Sequence, residues 1–126
     1  MLNFRQFAAG PDPFGRTFQA MFKWLQTAIS IRMADMVDVK FILEDENGGR
    51  TEKTIALPHA DLLRLSRETG RPVDDSWCAR LAALHLLHMV KTGEDMEKDL
   101  VTVPPAEMRR CADEIAQMER PAAGVR

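Results

Sequence analysis

Cysteine is scarce in this sequence, and its scarcity excludes a fold held together by disulfides. The 126 residues include two cysteines, Cys78 and Cys111, which lie far apart in helix-like segments. Small secreted domains that depend on disulfides carry a denser set. The N-terminal segment also lacks the apolar core of roughly 7 to 15 residues that a secretory signal requires. We therefore expect reduced, buried thiols and a cytoplasmic location.

Long apolar runs and an excess of basic residues are missing as well. No stretch approaches the roughly 18 apolar residues that cross a membrane. Lysine and arginine together number 17, against 19 acidic residues, which gives a formal net charge of -2. Nucleic-acid binders need clustered positive charge because phosphate neutralisation dominates their affinity. We therefore expect neither a membrane nor a nucleic-acid partner.

The familiar motifs of catalysis and cofactor binding are also absent. The sequence contains no Gly-x-Gly-x-x-Gly or Gly-Lys-Ser/Thr phosphate loop and no Gly-x-Ser-x-Gly nucleophile elbow. The acidic turn near residues 44–49 lacks the alternating ligands of a calcium-binding loop. We therefore assign no catalytic residue and no cofactor, and a non-enzymatic protein is favoured over an enzyme.

The composition is that of an ordinary globular protein. Hydrophobic residues make up 45% of the chain and charged residues 29%, which is typical of a packed domain. Residues 1–126 are expected to form a single domain. Glycine and proline are dense in residues 1–16, which predicts an irregular N-terminal arm, although Phe14 and its neighbouring phenylalanines are apolar enough to dock. Residues 121–126 are expected to be a loose tail.

The clearest structural signal is a hairpin over about residues 36–57. Val37, Val39 and Phe41 alternate with other residues at the period of a strand that has one buried face. The Asn-Gly-Gly sequence at 47–49 tolerates the positive φ angles of a tight turn.

One or two further strands are expected from residues 17–34. Residues 17–26 fit the spacing of a helical face and that of a strand equally well, so both remain open. Residues from about 28 to 33 are favoured as a strand because β-branched side chains alternate there.

Helix start and stop signals dominate the second half of the chain. Asp74 or Asp75 is a suitable N-cap, Gly70 and Gly93 are suitable C-caps, and Pro105 suits a first turn. The predicted helices are about 59–69, 75–92 and 105–119. A charged connector that ends in a short extended piece separates the last two. The order of elements predicts an α+β fold in which three helices pack on a small antiparallel sheet.

The helix predicted over 75–92 carries the nearest approach to a chemical signal. It is apolar nearly all round, with His85 inside the apolar sector and His88 at its margin. Two histidines one turn apart can reach one divalent metal, but zinc normally takes at least three protein ligands. The candidates for a third ligand are His59, Glu94, Asp95 and Glu97.

Two hypotheses follow for the function. The favoured one is a non-enzymatic interaction module that docks on a protein partner or forms a homo-oligomer, because a small sheet should leave the apolar helix uncovered. The alternative is a small metal- or ligand-binding protein, either an enzyme or a non-catalytic binder, centred on His85 and His88. A nucleophilic Cys78 at the helix start is a weaker possibility, because its apolar surroundings are typical of an inert thiol.

Overall fold

The computed structural model describes residues 3–28 and 35–119. Within these ranges the chain forms β1 (Gln6–Ala9), β2 (Phe18–Ala28), β3 (Met36–Glu44), β4 (Arg50–Pro58), α1 (His59–Thr69), α2 (Asp75–Thr92), β5 (Leu100–Thr102) and α3 (Pro105–Glu119). The α+β prediction is confirmed, and so are the three predicted helices. No helix in the described part of the chain is long and apolar enough to cross a membrane.

The five strands form one sheet in the order β1-β2-β3-β4-β5. All neighbours are antiparallel except β4 and β5, which run parallel because α1 and α2 cross over between them. The sheet is therefore mixed, with one strand more than the largest number predicted. Two of the five strands, β1 and β5, lie outside the segments that were predicted as sheet. β5 is the short extended piece expected after the charged connector. Its three residues are too few to show a strand period, so its pairing depends on β4.

The predicted hairpin is confirmed as β3 and β4. Val37, Val39 and Phe41 are buried on the face that the helices cover. In the turn, Gly48 has a φ of 84°, and the Asp45 carboxylate accepts the backbone N–H groups of the second and fourth residues after it, at 2.9 and 2.8 Å. Local turn chemistry and a one-sided apolar pattern therefore determine this part of the sheet.

A β-bulge explains why residues 17–26 matched both a helix and a strand. The register of β2 against β3 shifts between Phe22 and Trp24. Ala20, Phe22 and Leu25 consequently lie opposite residues of β3 that face the core. A spacing of two and then three residues imitates a helical face. Pairing with both β1 and β3 makes this segment a strand. Most of the strand favoured at about 28–33 lies outside the described residues.

The prediction of an irregular arm over residues 1–16 is wrong in part, because β1 lies within it. Gln6–Ala9 pairs antiparallel with the first half of β2, and Phe7 and Ala9 are buried. A strand of four residues depends on pairing with its neighbour and has too short a pattern to be recognised alone. The glycines and prolines that follow it therefore dominated the prediction for this segment. The tail at 121–126 lies outside the described residues.

Helix α2 forms the centre of the core. Asp74 is its N-cap and accepts the backbone N–H of Trp77 at 2.8 Å, and Gly93 ends it with a φ of 77°. The helix packs against β1, β3 and β4 on one side and against α3 on another. Buried residues occur all round it, including Leu81, Leu84 and Leu86. The premise that its own fold cannot cover this helix is therefore wrong.

Candidate functional site

The two histidines of α2 meet a glutamate from α3. His85 is 1% exposed, and its Nδ1 lies 3.5 Å from Oε1 of Glu107 in the first turn of α3. The Nε2 atom of His88 lies 4.0 Å from the same oxygen. The two imidazole rings are nearly parallel, with centroids 6.0 Å apart. These three residues form what we call the histidine cluster.

Two further charged residues border the histidine cluster. Arg110 donates to both carboxylate oxygens of Glu107, from Nη2 to Oε1 at 3.0 Å and from Nε to Oε2 at 3.3 Å. These hydrogen bonds lower the pKa of Glu107 and keep it ionised. Glu94 approaches from the connector, its Oε2 lying 3.4 Å from His88 Nε2. The carboxylate nearest His85 is therefore already neutralised by a guanidinium group.

Burial decides the protonation state of His85. Desolvation lowers the pKa of its imidazole, and the nearby Glu107 carboxylate opposes this only in part. The ring is consequently neutral at pH 7. Neither ring nitrogen has a hydrogen-bond partner among the described residues, since 3.5 Å is too long for a well-formed hydrogen bond. An unpartnered polar ring in the core costs stability.

The predicted metal ligands are only partly brought together. Glu94 lies beside His88, whereas Asp95 pairs with Lys98 at 3.2 Å. His59 begins α1, where its backbone N–H donates to Asp35. Within residues 3–28 and 35–119, no group of three or more His, Cys, Asp or Glu side chains could hold a metal ion.

Glu107 was missed from the sequence. Spacing along one helix reveals neighbours on that helix but not contacts with another helix, and Glu107 reaches the histidines from α3. A glutamate in the first turn of a helix is expected because its negative charge interacts favourably with the helix dipole. The position of Glu107 therefore gave no indication of a contact with the histidines.

Both cysteines are free and buried. Desolvation raises the pKa of Cys78 to about 12 and that of Cys111 to about 12. The thiolate is the reactive form, so neither residue has the character of a nucleophile at neutral pH.

A hydrogen-bonded turn joins β1 to β2, and we call residues 10–17 the Phe14 loop. The Asp12 carboxylate, whose side chain is 4% exposed, accepts the backbone N–H groups of Phe14 at 2.9 Å and of Arg16 at 2.7 Å, and also Arg16 Nε at 2.7 Å. Burial alone would raise the pKa of Asp12, but these hydrogen bonds outweigh it and lower that pKa. Gly10, at a φ of 125°, lies so close to the Arg16 carbonyl that an added Cβ would be 2.8 Å from its oxygen.

This loop holds Phe14 away from the core. The side chain is 83% exposed, the highest value among the exposed large hydrophobic residues described. The guanidinium carbon of Arg16 lies 5.4 Å from the centre of its ring and 5.7 Å from that of Phe18. Internal hydrogen bonds therefore define the conformation of the loop, and the side chain of Phe14 is exposed to solvent.

Lys53 is a second feature that the sequence did not reveal. It is 4% exposed, and its Nζ donates to the backbone carbonyls of Met96 at 2.6 Å and Lys98 at 2.7 Å. These bonds attach residues 93–99, which we call the connector, to β4. The connector in turn supplies Glu94 to the histidine cluster.

Comparison with protein-family models, with curated proteins and with solved structures gives no match. The geometry of the chain is therefore the basis for a functional proposal.

Proposed function

We propose that this protein is a non-enzymatic interaction module that binds a protein partner through the Phe14 loop. The exposure of Phe14 carries the proposal. Leaving a phenylalanine in water forgoes about 1.5–3 kcal/mol that burial would contribute. Aromatic side chains that fill a pocket on a partner supply much of the binding energy at protein interfaces.

The order of the Phe14 loop adds support. A contact loop that is already rigid loses less conformational entropy on binding. Here the buried Asp12 carboxylate and Gly10, which has a positive φ, stabilise the turn. A loop that only connects two strands does not need such a constrained sequence. Beside the Phe14 ring, Arg16 is bonded through Nε to the Asp12 carboxylate, so its charge is balanced within the loop and the apolar ring is the feature that a partner would contact.

The histidine cluster gives less support to an enzyme. His85 is almost completely buried, so a substrate cannot touch its ring without an opening of the core. Glu107 is engaged by Arg110, and both thiols are held protonated. General acid–base chemistry needs a group within reach of the substrate.

Site-specific photocrosslinking tests the proposal. A photoreactive phenylalanine analogue replaces Phe14 in cells of the source organism, and the same analogue replaces Leu63 on α1 as a control that is also exposed, at 42%. We expect a defined covalent adduct with a protein from position 14 and none from position 63. Equal labelling at both positions, or no adduct at position 14, would contradict the proposal.

A second candidate function is binding of a divalent metal at the histidine cluster, with Glu94 as an additional ligand. The observation that favours it is the approach of Glu107 Oε1 to both rings, at 3.5 and 4.0 Å. The described side chains do not form a three-ligand metal site as they stand, so binding would require Glu107 to leave Arg110 and the imidazole and carboxylate groups to move closer together. Elemental analysis of protein purified without a tag tests this: stoichiometric metal that is lost in Glu107→Gln supports it, and metal-free protein whose melting temperature ignores a chelator refutes it.

A further inference from the structure

The turn between β3 and β4 contains the pair Asn47-Gly48, and we call residues 45–49 the Asn47 turn. Both residues of the pair are exposed to solvent. In an Asn-Gly pair the backbone nitrogen of the glycine can attack the side-chain amide of the asparagine, because the glycine carries no Cβ that obstructs the approach. The sequence contains one other asparagine, Asn3, and the bulky Phe4 follows it. Asn47 is therefore the more reactive asparagine of the chain.

Three consecutive backbone N–H groups of the Asn47 turn donate to Asp45. Its carboxylate oxygen Oδ1 accepts the N–H of Asn47 at 2.9 Å and that of Gly49 at 2.8 Å. Its carbonyl oxygen accepts the N–H of Gly48 at 3.1 Å, and its own N–H donates to the carbonyl of Gly49 at 2.9 Å. The nitrogen that would attack the Asn47 amide is therefore itself held in a hydrogen bond.

Hydrogen bonding in the closed turn opposes this attack. The Gly48 nitrogen must lose its proton before it becomes a nucleophile, and the carbonyl of Asp45 accepts that N–H. The attack also requires the backbone between Asn47 and Gly48 to rotate, whereas the N–H groups on either side are bonded to the Asp45 carboxylate. Exposed turns open locally at a small free-energy cost, without unfolding of the core. The reactive form is therefore a locally opened turn.

We propose that Asn47 is a site of spontaneous deamidation and that Asp45 controls its rate by keeping the Asn47 turn closed. In the opened turn, the Gly48 nitrogen gives up its proton to hydroxide and forms a bond to Cγ of Asn47. The bond between Cγ and the amide nitrogen then breaks, and that nitrogen takes a proton from water and leaves as ammonia. Water cleaves one of the two imide C–N bonds of the resulting succinimide, which gives aspartate or isoaspartate without any oxidation or reduction.

Deamidation changes both the charge and the backbone of the Asn47 turn. It adds a carboxylate where Glu44, Asp45 and Glu46 already follow one another in the sequence. Isoaspartate also inserts its side-chain methylene into the main chain, so the N–H groups that Asp45 binds are displaced. The Glu46 carboxylate accepts the N–H of Thr17 in the Phe14 loop at 3.3 Å. The modified residue therefore lies next to a contact of the Phe14 loop.

Peptide mapping by mass spectrometry measures the reaction during incubation at mildly alkaline pH. Cleavage after lysine and arginine releases Asn47 in the peptide 41–50, and Asn3 in the peptide 1–5 is the internal control. Chromatography separates the aspartate, isoaspartate and unreacted forms of each peptide. Folded protein is compared with protein kept in guanidinium chloride, so that the closed turn is tested against the open chain.

Two variants and one control test the role of Asp45. Asp45→Ala removes the carboxylate that binds two of the three N–H groups. Gly49→Ala keeps this carboxylate but places a Cβ 2.7 Å from its Oδ2, so the carboxylate must move. Glu46→Ala is the matched control, because it removes a neighbouring acidic side chain that accepts the N–H of Thr17 instead. Circular dichroism verifies the fold of each variant.

We expect Asn47 to deamidate at least about tenfold more slowly in the folded protein than in guanidinium chloride, since three hydrogen bonds open together and each contributes a factor of roughly two to ten. Asp45→Ala and Gly49→Ala should each accelerate the reaction of the folded protein by at least about threefold, because the carboxylate no longer holds the turn closed. Glu46→Ala should change the rate by less than about twofold, as is typical of an exposed charge. Asn3 should react slowly in every sample.

The inference is overturned if Asn47 stays intact in guanidinium chloride, or if it reacts equally fast in the folded and the unfolded chain. A folded Asp45→Ala variant that reacts at the wild-type rate, or one that is no faster than Glu46→Ala, also overturns it. Gly49→Ala decides the question if circular dichroism shows that Asp45→Ala is unfolded.

Discussion

Replacing His85 with glutamine is expected to remove most of the pH dependence of folding stability between about pH 7.5 and 5.5. In the folded chain, burial lowers the pKa of His85 below its ordinary value of 6.5. In the unfolded chain, the imidazole is in water and takes up a proton at that ordinary value. Below pH 6.5 the unfolded state therefore binds more protons than the folded state, and stability falls as pH falls.

The magnitude follows from the unfolded state alone. If only the unfolded chain is protonated, lowering the pH to 5.5 costs at most about 1.4 kcal/mol, and the loss at pH 7.5 is below about 0.1 kcal/mol. With a urea dependence of about 1–3 kcal/mol per molar, the unfolding midpoint falls by about 0.5–1.4 M. The loss of about 1.4 kcal/mol is modified by the charged and titratable groups that face His85, which are Glu107, His88, Glu94 and Arg110. Glu107 does not itself titrate between pH 7.5 and 5.5, because its pKa is lowered from an ordinary value that is already below this range.

Urea unfolding followed by tryptophan fluorescence and circular dichroism, at steps of pH across this range, is the measurement. His88→Gln is the matched control, because it removes a partly exposed imidazole from the same helix and leaves the buried one. The comparison uses the slope of the free energy of unfolding against pH. A change in stability that is the same at every pH, as either substitution can cause, does not affect this slope. Identical slopes for the wild type and His85→Gln would refute the assignment of the dependence to His85.

Three further predictions concern the loop, the connector and the thiols. Gly10→Ala should lower the free energy of unfolding by about 1–3 kcal/mol in urea titrations, because the new Cβ meets a carbonyl oxygen at positive φ; an unchanged midpoint would show that the turn adapts. Lys53→Met should cost about 1.5–3 kcal/mol and accelerate amide hydrogen exchange in the connector, whereas Lys23→Met, at an exposed ion pair, should cost less than about 1 kcal/mol; equal costs would contradict the anchoring role. Cys78 and Cys111 should resist a thiol reagent at pH 8 in the folded protein and react fully in urea, since burial raises the pKa of both; rapid labelling of native protein would contradict this.

The elements that were predicted correctly are those whose signals are local. The N-cap at Asp74 and the C-cap at Gly93 lie within a few residues of the helix they bound, and the β3–β4 turn is organised by its own Asp45. β1 was not recognised as a strand, and β5 was expected only as a short extended piece, because four and three residues do not establish a period. The nature of β2 stayed open because a bulge at Phe22 altered its spacing.

The sequence by itself determined the class of fold, the helix boundaries, the central hairpin and the burial of the α2 face that carries His85, because capping, turn chemistry and hydrophobic periodicity act over a few residues. Only the tertiary structure decided what lies opposite those residues. It placed Glu107 beside His85, attached the connector through Lys53, enclosed α2 within its own chain and left Phe14 in solvent. These are contacts between segments distant in sequence, and spacing along the chain carries no information about which segments meet.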